Sequence, residues 1–143
     1  MSTKAPTSAE QPVTTPREAA PKPVAAGTRI GHVHLKTADI QRVHDFYVGI
    51  LGFDVIFRMP EALFLSAGGY HHHLGTNIWA AGAPQAREGD ARLLEWTVRL
   101  PEGHHVDAAA KSLSSGGYEV SREGGDAVSI DPWGTRVRIT AGR

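Results

Sequence analysis

The fold is decided by FDVIFRMPEALFLSAGGYHHHLG, residues 53–75, and by YEVSREGGDAVSIDPWGTRVRIT, residues 118–140, which align with each other without a gap. The identical and similar positions include Val55/Val120, Ala62/Ala127, Gly69/Gly134 and Leu65/Ile130. Matches that keep one fixed separation are typical of an internal repeat. We therefore predict that the chain arose by an ancient duplication.

Each copy follows a strand pattern and a helix pattern. Residues 30–36, IGHVHLK, alternate with the period of a strand; a helix then starts after Asp39, a good N-cap residue, and ends at Gly52. In the second half, residues 93–101 form the strand pattern and residues 103–115 the helix pattern. Both halves have the order βαβββ. We predict an α+β fold of two tandem βαβββ modules, forming a curved, cup-shaped mixed sheet with helices outside.

The domain organisation follows from composition. Residues 1–28 hold five of the nine prolines and no aromatic residue, which predicts a disordered N-terminal tail. Residues 29–141 have the size of one domain. Within them we place the modules at 29–80 and 93–141, joined by a linker over 81–92 that is rich in glycine and proline.

The composition also limits the partners. Fifteen basic and fifteen acidic residues balance, and no basic stretch alternates with aromatic residues, which argues against nucleic acid or a membrane surface. No apolar run approaches the roughly 18–20 residues of a membrane span. Because there are no cysteines, a metal would need histidine, carboxylate or water ligands. We predict a cytoplasmic protein with a small-molecule partner.

Two signatures resemble a known family. HVHLKTADIQRVHDFYVGILGFDV, residues 32–55, and DPWGTRVRI, residues 131–139, are similar to the vicinal oxygen chelate superfamily, which includes glyoxalases, bleomycin-resistance proteins and extradiol dioxygenases. ALFLSAGGYHHHLGTNIW, residues 62–79, resembles one half of the catechol 2,3-dioxygenase-like members. The resemblance covers residues 29–141. It implies a cup around a divalent metal ion and a homodimer.

In this superfamily the metal ligands come from the first and last strand of each module. The corresponding positions here are His32, His73, Glu95 and Arg138, and the internal alignment places His73 over Arg138 and His32 over Glu95. His32, His73 and Glu95 form the two-histidine, one-carboxylate set that suits Fe(II) or Mn(II), with Zn(II) as an alternative. Arg138 cannot bind a metal. It either orients an anionic substrate group or pairs with Glu95.

Other candidates follow from strand alternation. A strand predicted over residues 70–79 places His71 on the face of His73, and His72 on the face of Leu74. Imidazoles titrate near neutral pH, so two histidines are acid/base candidates: His71 and His34. The side chains predicted to contact substrate are Arg138, Asn77, Trp79, Thr97 and Arg99.

These features predict a metal-dependent, dioxygenase-like enzyme that acts on a small, vicinal-oxygen substrate, aromatic substrates included. Two alternatives stay open. If Arg138 and Glu95 form a plain salt bridge, the pocket is metal-free, as in the members that sequester antibiotics. A glyoxalase-type isomerase or lyase would need a metal but no dioxygen.

Overall fold

The computed structural model describes residues 31–142, and the predicted disordered tail therefore lies outside the described residues. The first module has the order βαβββ. Its elements are β1 (Val33–Lys36), α1 (Ile40–Val43) continued by a π-helical segment (His44–Ile50), β2 (Asp54–Met59), β3 (Ala62–Ser66) and β4 (Leu74–Asn77). The Asp39 side chain caps α1 by accepting a hydrogen bond from the Arg42 amide.

The second module repeats this order. Its elements are β5 (Glu95–Leu100), α2 (Gly103–Ser115), β6 (Ser121–Glu123), β7 (Asp126–Ile130) and β8 (Arg136–Ala141). The α+β class with two tandem βαβββ modules is confirmed. Within residues 31–142, no helix has the length and apolar content needed to cross a bilayer.

Each module forms its own four-stranded mixed sheet. The strand orders are β1-β4-β3-β2 and β5-β8-β7-β6. The first and last strands of each module run parallel, and the other neighbours are antiparallel. The first strand of each module is therefore an edge strand beside the last.

The helices cover one face of each sheet and meet each other in a shared core. Phe46 and Tyr47 of the π-helical segment are fully buried, and they contact Tyr118 and Trp96 of the second module. The Ser112 hydroxyl of α2 donates to the Ile50 carbonyl at 2.7 Å. The two modules are thus joined through their helices, and the opposite face of each sheet points away from this core.

The hairpin turns establish how the modules correspond. Met59 pairs with Ala62 across one two-residue turn, and Glu123 pairs with Asp126 across the other. Ala62 therefore corresponds to Asp126, not to Ala127 as the ungapped alignment predicted. That alignment is wrong by one residue in this region.

Burial gives the physical reason. The ungapped alignment matches Leu65, which is fully buried, with Ile130, which is 47% exposed. By the hairpin correspondence Leu65 matches Ser129, which is 3% exposed. A shift of one residue moves a strand side chain to the opposite face. Similarity of residue type alone does not detect such a shift.

In the last strand of each module, the ungapped alignment differs from the structural correspondence by two residues. The strand ladders make His73 correspond to Arg136, so the predicted match of His73 with Arg138 is wrong. Glu95 pairs with Arg136 in the β5–β8 ladder. In the first module the Val33–Leu74 pair places His32 opposite His73, which is the residue that corresponds to Arg136. His32 therefore keeps its predicted match with Glu95.

The fourth strand is shorter than predicted. It begins at Leu74, whereas the sequence predicted a strand over residues 70–79. Gly68 and Gly69 have φ values of 66° and 78°, a backbone region that favours glycine. They turn the chain before β4, so residues 70–73 do not follow strand alternation.

One buried hydrogen bond links the modules directly. The Tyr47 hydroxyl donates to Asp131 Oδ2 at 2.8 Å, while Asp131 Oδ1 accepts from the Trp133 and Thr135 amides. Burial and the neighbouring Asp131 carboxylate raise the pKa of Tyr47 above its usual range. The phenol therefore remains a donor to Asp131.

We expect Tyr47→Phe to lower the free energy of unfolding by about 1.5–3 kcal/mol, because a buried carboxylate oxygen loses its donor. Urea unfolding followed by circular dichroism measures the change. Tyr118→Phe is the matched control, since the Tyr118 hydroxyl has no hydrogen-bond partner in the described residues, and should change stability by less than about 0.5 kcal/mol. Equal effects of the two variants would contradict this account.

Candidate functional site

The outward faces of the two sheets carry different chemistry. In the first sheet the ladders place His32, His34, Phe64 and Phe57 outward, giving a histidine-rich and aromatic face. In the second sheet the outward side chains are charged, and they include Glu95, Glu123, Asp126, Arg136 and Arg138. The predicted site residues are therefore divided between two faces.

Several predicted site residues border one cleft. This cleft has a volume of about 840 Å³ and lies where the start of β1 approaches β5. The predicted residues that line it are His32, His73, Glu95, Thr97 and Arg99. Its apolar walls include Leu51, Phe53, Trp96 and Val98.

Glu95 is bound to two arginines. Arg138 forms a two-point contact, with Nε at 2.8 Å from Oε1 and Nη2 at 3.2 Å from Oε2. Arg136 Nε adds a hydrogen bond to Oε2 at 2.9 Å. The hydrogen bonds from Arg138 and Arg136 lower the pKa of Glu95 to about 2. Both carboxylate oxygens are therefore occupied by permanent cations.

The network continues to two further carboxylates. Glu123 accepts from Arg138 Nη2 at 2.6 Å and from Arg136 Nη2 at 2.9 Å, and Asp126 accepts from Arg138 Nη1 at 3.2 Å. Three carboxylates thus surround two guanidinium groups. Every nitrogen of the Arg138 guanidinium contacts a carboxylate, which corresponds to the salt-bridge alternative and not to an arginine free to orient substrate.

His73 is held by the turn before β4. Its Nδ1 accepts the Ala67 amide at 3.2 Å and lies 3.1 Å from the Ser66 hydroxyl. An amide N–H can only donate, so the proton of the neutral ring is on Nε2. In this tautomer neither nitrogen has a lone pair free for a metal.

The predicted triad therefore does not fit a metal ion. Glu95 is paired with arginines, and His73 has both nitrogens engaged or protonated. The ligand atoms of His32, His73 and Glu95 also do not converge within 4.8 Å. The structure gives no support for a metal at these three positions.

A different histidine group does converge. The ligand nitrogens of His32, His71 and His72 lie within 4.8 Å of one another. The prediction that His72 shares the face of Leu74 is wrong, because His72 packs against Phe64 and His32 on the outward side. The reason is the irregular segment before β4, which interrupts the alternation. Burial, and then the neighbouring histidines, lower the pKa of His72.

His34 is fixed in one tautomer. The Trp79 backbone amide donates to Asn77 Oδ1 at 3.2 Å, which directs Asn77 Nδ2 toward His34 Nε2 at 2.8 Å. The amide nitrogen donates, so the lone pair of Nε2 is occupied. The ring lies over Gly75, where an added Cβ would be 2.9 Å from Nδ1. His34, Asn77 and Trp79 thus form one supported group on the outward face.

Sequence reasoning missed some residues of these groups: Arg136, Glu123, Asp126 and His72. Arg136 had a usable signal, because alternation places it on the same face of β8 as Arg138. Glu123 and Asp126 flank a Gly-Gly turn, a hairpin signal that brings both beside the last strand.

The fold agrees with comparisons to known proteins. Residues 29–139 match the model of the Glyoxalase/Bleomycin resistance protein/Dioxygenase superfamily. The chain therefore belongs to this superfamily.

Among characterised relatives, the chain is similar to catechol-2,3-dioxygenase of Bacillus subtilis (strain 168), with 42% identity over 96 residues. The match covers 65% of this chain and 34% of that protein, so the chain spans about a third of the relative.

Solved structures share the fold at low identity. Lactoylglutathione lyase from Agrobacterium tumefaciens has a TM-score of 0.61 and 14% identity, covering 82% of this chain and 96% of that one. A glyoxalase family protein from Enterococcus faecalis has a TM-score of 0.61 and 20% identity, covering 79% and 97%. These likenesses concern the fold.

The state of Glu95 can be tested by acid unfolding. Its pKa of about 2 in the folded chain is below the ordinary value of 4.5, so its stabilising effect is complete above about pH 4.5 and is lost as pH falls toward 2. We expect Glu95→Gln to unfold more easily than the unchanged protein at pH 5–7. The difference in free energy of unfolding should shrink steadily below about pH 4.5.

Two controls accompany this experiment. Glu61→Gln changes an exposed glutamate that forms no salt bridge in the described residues, and should leave stability nearly unchanged. The other charged groups facing Glu95 are Arg136, Arg138, Glu123 and Asp126, so ionic strength must be held constant across the pH series. A difference that stays constant down to pH 3 would contradict the two-arginine contact.

Proposed function

We propose that this chain binds a small, oxygen-bearing aromatic molecule in the cleft between its modules, without a metal held jointly by His32, His73 and Glu95. The observation that carries this proposal is the cleft itself. Its volume of about 840 Å³ lies in the range of about 300–1,000 Å³ usual for small-molecule sites. It combines apolar walls with a few polar side chains, which is typical of such sites.

The lining supplies the chemistry for such a ligand. Trp96 and Phe53 offer aromatic surface for a flat ring. Arg99 is exposed and forms no salt bridge with any carboxylate of residues 31–142. Its guanidinium can donate two parallel hydrogen bonds to a carboxylate or to adjacent oxygens. Thr97 and His32 add polar groups at the same rim.

Glu95 also borders the cleft, but its charge is neutralised by Arg136 and Arg138. An anionic ligand therefore does not meet an isolated carboxylate there. The neutralised charge of Glu95 supports binding of a negatively charged or phenolic molecule next to Arg99. Because the same carboxylate is not free to bind a metal, we prefer the metal-free alternative.

A metal-dependent, dioxygenase-like enzyme is the second candidate. It is favoured by the similarity to catechol-2,3-dioxygenase, at 42% identity over 96 residues. The predicted ligands His32, His73 and Glu95 do not support it, because Glu95 is paired with two arginines and His73 accepts the Ala67 amide. Oxygen uptake with Fe(II) and a panel of catechols separates this candidate from simple binding.

A homodimer remains a prediction, as does a cytoplasmic location. The exposed apolar residues of the edge strand β2 support a dimer: Val55, Ile56, Phe57 and Met59. Surfaces of this kind often mark protein contacts. Light scattering after size-exclusion chromatography measures the assembly state.

The binding proposal predicts that protocatechuate, a catechol with a carboxylate, binds in the presence of EDTA and changes the tryptophan fluorescence. Arg99→Ala should weaken this binding about tenfold or more, because a hydrogen bond to a charged group contributes roughly 1.5–3 kcal/mol. Isothermal titration calorimetry gives the dissociation constant. Arg58→Ala, an exposed arginine on β2 outside the cleft, is the matched control.

The signal must also come from the cleft. The chain has three tryptophans, and of these Trp96 lines the cleft, so Trp96→Phe should remove most of the fluorescence change. Equal binding by Arg99→Ala and the unchanged protein would overturn the proposed site. Binding that requires a transition metal would instead support the enzyme.

A further inference from the structure

Three histidine side chains meet beside the first strand. Among the residues from 31 to 142, His32, His71 and His72 are the only group of three potential ligands with atoms within 4.8 Å of one another. The ring centroids are 4.6 Å apart for His32 and His72, and 4.3 Å for His71 and His72. The ring planes are inclined by 50° and 76°, so the rings are not stacked and their nitrogens can point to one centre.

The backbone holds these histidines in place. The turn at Gly68 and Gly69 returns the chain toward β1. The segment is then fixed between two strands, because the Val33 amide donates to the His73 carbonyl at 2.9 Å and the His73 amide donates to the Leu65 carbonyl at 2.8 Å. These bonds fix the backbone at His73, next to His72 and beside His32.

The spacing suits a metal ion after a small adjustment. Zinc–nitrogen bonds of about 2.0–2.1 Å in a tetrahedral site require ligand nitrogens about 3.3 Å apart. The present limit of 4.8 Å must therefore close by at most about 1.5 Å. His32 and His71 are exposed, so their rings can rotate without disturbing the core.

The surroundings orient one ring and leave the group without a paired charge. His72 packs against Phe64, with ring centroids 5.2 Å apart, which orients its imidazole. None of the salt bridges within residues 31–142 involves His32, His71 or His72.

We propose that His32, His71 and His72 form a site for a divalent late transition metal ion, with Zn(II) as the ion to test. Imidazole ligands suit Zn(II), Cu(II), Ni(II) and Fe(II), whereas Mg(II), Ca(II) and Mn(II) prefer oxygen. Three protein ligands leave a fourth position for water or an organic ligand. The site goes beyond the proposed binding function, which is tested in EDTA and does not depend on it.

The experiment uses the full chain without an affinity tag. Zn(II) titration by calorimetry should show one site per chain, and Co(II) substitution should give a visible absorption band with the same stoichiometry. His71→Ala and His72→Ala should each weaken Zn(II) binding by at least about 10–100-fold, since even outer-shell partners of a metal contribute this much. Thermal unfolding without metal checks that each variant is folded, and His71→Gln is the milder second variant.

The controls separate this site from the alternatives. His73→Gln and Glu95→Gln remove the two other ligands predicted from the sequence, and both should bind Zn(II) as the unchanged protein does. The double variant His104→Ala/His105→Ala removes an exposed histidine pair on α2, with centroids 4.0 Å apart, and should also have no effect.

Three results would overturn the proposal. Loss of binding in His73→Gln or Glu95→Gln would place the metal on the set predicted from the sequence, which is His32, His73 and Glu95. Loss of Zn(II) binding in the His104→Ala/His105→Ala double variant would show that the exposed histidine pair on α2 binds the metal. Dissociation constants in folded His71 and His72 variants equal to that of the unchanged protein would exclude these ligands.

Discussion

The shared core constrains everything else in this structure. Both helices and the inner faces of β1, β3, β4, β5, β7 and β8 belong to one hydrophobic cluster, so one side of each of these strands is reserved for packing. Because strand side chains alternate, the other side is turned away from that core. Function in this chain must be carried by these outward faces and by the cleft at the edges of β1 and β5.

The two outward faces carry different chemistry although the two modules share one topology. His32 and Glu95 occupy corresponding positions, and so do His73 and Arg136. In the first module this pair of positions borders a group of imidazoles. In the second module the same positions form an ion pair, which Arg138 extends. Arg136 and Arg138 occupy the Glu95 carboxylate that a two-histidine, one-carboxylate metal site would need. The outward face of the second module is therefore an ion-pair network, whereas that of the first module is rich in histidine.

Much of the fold was predictable from the sequence because its signals are local. Asp39 caps the first helix as expected, and α2 covers residues 103–115 as predicted. The register was not predictable, because it depends on the direction of side chains across the hairpins. Ile130 resembles Leu65 in type but is exposed, and the match of residue types misled the alignment by one position.

The same limit applies to the site. Strand alternation correctly placed His32 and Glu95 on the outward faces. The orientation of His72, however, depends on the irregular turn after Gly69, and the tautomer of His73 depends on the hydrogen bond from the Ala67 amide. Neither has a sequence signal.

Glu95 is paired with Arg136 and Arg138, and the proposed metal ion is bound by the three histidines of the first module. An anomalous difference map at the zinc edge, from crystals grown with Zn(II), tests this arrangement most directly. We predict a peak about 2.1 Å from nitrogens of His32, His71 and His72. A peak coordinated by Glu95 and His73 would contradict it.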